Sequence, residues 1–333
     1  MLNKSQKLNK NLFKDDVEQV PIRSGFGKGL LEAGEKDERI VGLCADLTGS
    51  TKMNMFADKF QNRFIQVGVA EQNLASVASG MAAMGKIPFI SSYAMFSPGR
   101  NWEQIRTTIC YNDVPVKIAG SHAGISVGPD GGTHQAVEDI ALMRVLPNMV
   151  VISPCDAIEA KKATIAAAKT KEPTYIRLAR EKTPVITTED TPFEIGKAQI
   201  MFSPEDETID ADVLIIATGA LLYKALQVAQ KIETEQHKKI TVVNLATIKP
   251  IDEKTLVPLI ENCKSIVTVE EHQIAGGMGS VIAELCARTT PRPIEFVGVD
   301  NEFGQSGTPE ELLEYYGMGV DSITAAVKRA LER

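Results

Sequence analysis

Residues 64–85, FIQVGVAEQNLASVASGMAAMG, change periodicity partway along. Residues 64–69 (FIQVGV) are a short, largely apolar run, the pattern of a strand buried on both faces. Leu74, Val77, Ala78, Met81 and Ala82 then fall at helical spacing, and Gly85 is placed to end that helix. A strand that feeds directly into a helix is the repeating unit of a parallel sheet, whose neighbouring strands need a crossover between them. The same alternation extends both ways. Residues 39–44 (RIVGLC), 87–93 (IPFISSY), 115–119 (PVKIA), 149–153 (MVVIS) and 174–178 (TYIRL) read as buried strands, and Ser97-Pro98 as the start of a further helix with Trp102, Ile105 and Ile109 turned inward.

The alternation fails over residues 183–210 (TPVITTEDTPFEIGKAQIMFSPEDETID), where Pro, Thr and acidic residues gather, and this stretch reads as a linker. A second unit follows, with strands predicted at 212–218, 240–245, 265–269 and 294–299 and a last helix at 322–331 that Asp321 would cap. The fold class is therefore α/β, two parallel-sheet domains at 21–182 and 211–333. Residues 1–20 are Lys/Asn/Asp-rich and read as a polar, fraying arm.

Composition narrows the function. A chain of 333 residues, 44% hydrophobic, holds about two domains with a core in each. Its net charge of −7, without a basic stripe interleaved with aromatics, argues against nucleic acid or an anionic membrane as partner. The apolar runs are strand-sized, far short of a membrane span, and residues 1–20 lack the apolar core of a secretory signal. Five scattered cysteines without a C-x-x-C pair suit reduced, buried thiols rather than a metal site, and the expected location is cytoplasmic.

In open parallel sheets ligands bind beyond the carboxyl ends of the strands. Those positions are well stocked: Asp46 follows the first predicted strand, Glu71 the second, Tyr93 and Phe96 the third, His122 the fourth and Arg180 the last. Residues 121–134 (SHAGISVGPDGGTH) bring together two of the four histidines, one aspartate and four glycines. Such a loop lets backbone approach a small polar ligand, with His122, Asp130 and His134 able to donate, accept and titrate near neutral pH. Glu71, between Ala70 and an apolar helix face, is expected to be partly desolvated, which raises a carboxyl pKa and suits it to share a proton with a ring nitrogen.

GVAEQNLA (68–75), YAMF (93–96) and SHAGISVGPDGGTHQ (121–135) together resemble the pyrimidine-binding half of thiamine-diphosphate enzymes of the transketolase family, and the resemblance runs from about residue 21 to the C-terminus. It implies that Glu71 bonds N1′ of the cofactor's aminopyrimidine, that Tyr93 and Phe96 pack against that ring, and that Asp46 lies close to the cofactor. It implies further that Arg23, Ser50 and Arg180 hold the phosphate of a sugar substrate. His122 would lie near that phosphate, Asp130 would read a ketose hydroxyl, and His134 would stand beside the reacting carbon. Gly99 departs from the pattern, since some transketolases carry a third aromatic there. The related deoxyxylulose-phosphate synthases usually place arginine at the position of His122, in a loop one residue shorter, and the β subunits of 2-oxo acid dehydrogenases lack this loop.

Thiamine enzymes hold Mg²⁺ and the diphosphate on a separate domain bearing Gly-Asp-Gly, which is absent from this chain. The resemblance thus implies the C-terminal half of a transketolase encoded in two pieces. An N-terminal subunit would supply the Mg²⁺-diphosphate site in an α2β2 assembly. The glycine-rich run 276–279 is weak evidence for nucleotide binding, and the C-terminal domain is read as packing, with no catalytic residue. A non-catalytic sugar-phosphate-binding or assembly subunit and a deoxyxylulose-phosphate synthase-like subunit are the alternatives.

Overall fold

The structure, a computed structural model, describes residues 1–204 and 210–333. Fourteen strands occur among them: β1 (Gln19–Pro21), β2 (Ile40–Cys44), β3 (Phe64–Gln66), β4 (Ile87–Tyr93), β5 (Lys117–Ser121), β6 (Val150–Ile152), β7 (Thr174–Leu178), β8 (Lys182–Pro184), β9 (Gln199–Phe202), β10 (Ala211–Ala217), β11 (Ile240–Asn244), β12 (Thr247–Lys249), β13 (Cys263–Gln273) and β14 (Ile294–Val299). Seven form one sheet in the order β12-β6-β7-β5-β4-β2-β3, parallel except for β12. Five form a second sheet in the order β14-β13-β10-β11-β9, parallel except for β9. Two parallel-sheet α/β domains are thus present, as the alternating pattern requires.

Local chemistry accounts for the elements. The buried face of the helix Glu71–Ala83 is Glu71, Leu74, Ala75, Ala78, Ser79 and Ala82, and Gly85 follows with φ +85°, a conformation open to glycine at little cost. The helix Ile22–Lys36 lies so close to the helix Ala157–Ala167 that a Cβ on Gly25 would stand 1.8 Å from the Ala157 carbonyl oxygen. That close packing fixes the first turn of the helix, where Arg23 sits. In the first sheet the chain leaves β2 for β3 on one side and returns to β4 on the other, which opens a crevice at the carboxyl end of β2.

Several expectations are corrected. Residues 1–20 do not fray: Leu8 and Leu12 are buried in the core of the second unit, β1 pairs with β8, and the Asn3 N–H donates to the Met201 carbonyl at 2.9 Å. Leucines at helical spacing hide easily in a lysine-rich stretch. The predicted linker is likewise built in, since it holds the last two residues of β8 and all of β9 and packs Phe193 and Ile195 on the core; its residues 205–209 lie outside the described part. Ser97-Pro98 does not open the helix, which begins at Trp102 and continues as a π-helical turn at Ile105–Cys110 with Ile105 and Ile109 buried. The last helix, Val320–Leu331, is capped by Gly319; Asp321 lies inside its first turn, where the helix dipole still favours its charge. All five cysteines are free and buried. No helix among the described residues is long and apolar enough to cross a membrane.

Candidate active site

Glu71 opens its helix at the carboxyl end of β3 and is 1% exposed. Its carboxylate takes two donors: Ser92 Oγ donates to Oε1 at 3.0 Å, and Arg100 Nη1 donates to Oε2 at 2.7 Å. Asn101 Nδ2 donates to the Glu71 carbonyl at 2.9 Å and so pins the main chain as well. The sequence reading left this carboxylate to burial alone and missed Arg100. The Arg100 guanidinium carbon lies 4.8 Å from the Phe96 ring centroid, so one flat cation rests on an aromatic face and donates into the acid at once. Its nearness to YAMF in sequence was the available signal.

The rings of the third and fourth strand ends converge beside it. Tyr93 and Phe96 lie nearly parallel, centroids 6.3 Å apart, and His122 stacks on Tyr93 at 3.8 Å. His134 meets Phe96 edge-on at 5.4 Å and Tyr93 at 6.2 Å. Its Nδ1 is 2.9 Å from Thr133 Oγ1.

A cationic group lies on the other side of His122. Arg23 Nη1 donates to the Ser50 carbonyl at 2.7 Å and lies 3.2 Å from His122 Nε2. A guanidinium only donates, so Nε2 accepts and the ring proton belongs on Nδ1, 2.8 Å from Ser121 Oγ. Burial, then Arg23, Arg180, His134 and Lys52, push the His122 pKa down to about 3. His122 is therefore neutral across the physiological range, which corrects the expectation that it titrates near pH 7. Burial followed by the charge of Arg180 also lowers the pKa of Arg23, whose buried Nε has no acceptor among the described residues. Arg180 Nη1 donates to the Val127 carbonyl at 2.6 Å and stands 3.8 Å from Asp130 Oδ1; its Nε is 3.4 Å from Glu181 Oε1. Lys52 and Glu181 lie outside the expected set.

Seven of the ten predicted residues are thus linked by contact, with Arg100 bridging Glu71 to Phe96; Arg180 and Asp130 form a separate pair that acts on Arg23 and His122 through charge. Ser50 joins through its carbonyl, not its hydroxyl. Asp46 stands apart: it is exposed, with φ 58°, and its N–H donates to Gln66 Oε1 at 2.7 Å. No cluster of three or more His, Cys, Asp or Glu side chains that could hold a metal ion occurs among the described residues. In chemical terms the arrangement offers a buried acid beside flat rings, and next to it an excess of positive charge with a free donor.

Residues 18–185 match the model of the transketolase pyrimidine-binding domain, and residues 205–323 that of the transketolase C-terminal domain. The chain belongs to the transketolase family. A putative transketolase C-terminal section from Methanocaldococcus jannaschii is 44% identical over 94% of this chain and 96% of its own length. The 6-deoxy-6-sulfo-D-fructose transketolase subunit SqwH of Clostridium sp. (strain MSTE9) is 35% identical over 96% of this chain and 98% of its own. A solved structure described as a split gene transketolase, inactive beta4 tetramer, superimposes with a TM-score of 0.86 at 43% identity, covering 94% of this chain and 99% of that one. This transketolase chain thus shares its whole two-domain span with relatives described as sections or subunits.

Proposed function

We propose that this chain is the C-terminal subunit of a thiamine-diphosphate-dependent transketolase that moves a two-carbon ketol unit between ketose and aldose phosphates. The observation that carries the reading is the joining of Glu71, the Tyr93–Phe96 pair and the Arg23–Arg180 cations at one sheet edge. The residues fit the cofactor's pyrimidine end. Arg100 already shows that a planar N–H donor can lie on Phe96 while it bonds to Glu71, the two contacts an aminopyrimidine needs. When bound, thiamine diphosphate supplies the carbanion chemistry.

This chain's own residues supply placement and charge. Glu71 holds a ring nitrogen and shares a proton with it once Arg100 withdraws, while Ser92 keeps the carboxylate oriented. Tyr93 and Phe96 exclude water from one face. Arg23 and Arg180 grip a sugar phosphate, with the vacant Arg23 Nε as an added donor. Neutral His122 holds Arg23 in line through Nε2 instead of passing protons. His134, edge-on to both aromatic rings, stabilises or moves a proton at the reacting carbon, and Asp130 accepts a ketose hydroxyl.

The Mg²⁺-diphosphate site is assigned to a second, N-terminal chain in an α2β2 complex. Support comes from the absence of Gly-Asp-Gly and from the relative described as an inactive tetramer of one chain type. The test is reconstitution. Thiamine diphosphate and Mg²⁺ should bind tightly only when the partner is present, and the complex should convert ketose and aldose phosphates. Full cofactor binding by this chain alone would overturn the divided-site reading. An active complex in which Glu71→Gln has unchanged turnover would overturn the catalytic one.

A further inference from the structure

The loop carrying Asp130 and His134 is shaped from behind by the second domain. At the end of β13, Glu271 is 3% exposed, and its Oε1 accepts the Ser126 N–H at 2.5 Å. The fit is close: Gly124 has φ +92°, and a Cβ there would stand 2.3 Å from the same oxygen. Arg177 ties the main chains together, since its Nη2 donates to the Glu271 carbonyl at 2.8 Å and to the Ala136 carbonyl at 3.3 Å while its Nε pairs with Asp139. Gln135 Nε2 adds bonds to the carbonyls of Ile125 and Gln305 at 3.1 and 3.0 Å.

The residue after Ser126 is Val127, whose carbonyl accepts from Arg180 Nη1. An unbroken chain therefore runs from the Glu271 carboxylate to the Ser126 N–H, across one peptide unit to the Val127 carbonyl, and on to the guanidinium that faces Asp130. We propose that Glu271 is a positioning residue for substrate phosphate: by fixing the Ile125–Ser126 peptide it sets the turn whose Val127 carbonyl aims Arg180. This gives the C-terminal domain a part in the reaction rather than in packing alone. The inference rests on the reading that Arg180 grips the phosphate.

The experiment uses the reconstituted two-chain complex and compares a ketose phosphate with the same ketose lacking phosphate. Glu271→Met fills the space but accepts no hydrogen bond, whereas Glu271→Gln keeps an Oε1 acceptor. The Met variant should raise KM for the phosphorylated ketose roughly ten- to a hundredfold, the cost of misplacing a binding group by a fraction of an ångström or more. The Kd of thiamine diphosphate should hold within about twofold, and KM for the unphosphorylated ketose should rise by no more than about fivefold, since that sugar feels Arg180 only through its weak pairing with Asp130. The Gln variant should restore most of the loss. Glu271→Asp, which draws the acceptor back while keeping the charge, should shift KM the same way and serves if the Met variant fails to fold. Equal losses on both ketoses, no loss, or no rescue by Gln would overturn the proposal. Arg180→Gln is the control: if it leaves phosphate preference unchanged, the phosphate reading itself fails, whatever Glu271 does.

Discussion

The two sheets place acids and histidines toward the carboxyl ends of their strands in similar ways, yet to opposite ends. Near the carboxyl end of β13 in the second sheet, Glu270 accepts the N–H groups of Met278 and Gly279 at 2.6 and 2.8 Å, so an internal carboxyl group fills the helix N-terminus behind the glycine-rich run. His272 is fully buried, its Nδ1 2.7 Å from the Gln273 carbonyl. That end of the sheet is closed upon itself. The first sheet leaves cations near one another with an unused donor and stacks aromatic rings at the crevice beside β2. A glycine-rich turn after a strand is a ligand site only when the protein has not already supplied the acceptor.

The sharpest way to break this contrast is Glu71→Gln. It should lower turnover of the complex by roughly 10²- to 10⁴-fold, the range for losing a positioned proton-sharing group, with folding intact by circular dichroism. Next is Arg23→Gln. Loss of a charged hydrogen bond, about 1.5–3 kcal/mol, should raise KM for sugar phosphates by about ten- to a hundredfold and leave cofactor affinity alone. Arg100→Ala should act in the other direction. Glu71 and the Phe96 face would no longer be occupied, so titration calorimetry of the complex should show thiamine diphosphate binding tighter by up to about fivefold, the worth of a half-exposed ion pair. Weaker binding would instead make Arg100 a ligand of the cofactor.

The closed end is probed by pH. Burial, opposed by the two backbone donors, lifts the Glu270 pKa from an ordinary 4.5 to about 7. The folded protein then keeps a proton that the unfolded chain has lost, so this group's stabilising contribution is complete below 4.5 and is lost as pH rises through about 7. The wild-type Tm should therefore fall relative to that of Glu270→Gln between those pH values. Parallel Tm profiles would show that Glu270 is not protonated in this way.

Much of the architecture was legible because buried parallel strands are short, uninterrupted and apolar, and because strand ends are where such sheets bind ligands. That logic pointed to Glu71, Tyr93, Phe96, His122 and Arg180, which stand at or beyond the carboxyl ends of strands in the first sheet. It missed Arg100, which lies in the turn before a helix and acts only because the fold brings it back over Phe96. It misjudged His122, since the pKa depends first on burial in the folded chain and then on cations from other elements: Arg23, Arg180 and Lys52. It took residues 1–20 for a loose arm because their lysines and asparagines outnumber the leucines that anchor them. Polarity averaged over a window cannot register two well-placed apolar side chains.

The antiparallel strand β12 belongs by sequence to the second unit but closes the first sheet against β6. Cutting the chain within the connecting segment would strip that cover and bare a row of unpaired main-chain donors and acceptors beside Val150, Val151 and Ile152. The pyrimidine-binding portion expressed by itself would then be an aggregation-prone fragment, and any effort to map ligand contacts needs both units on one polypeptide.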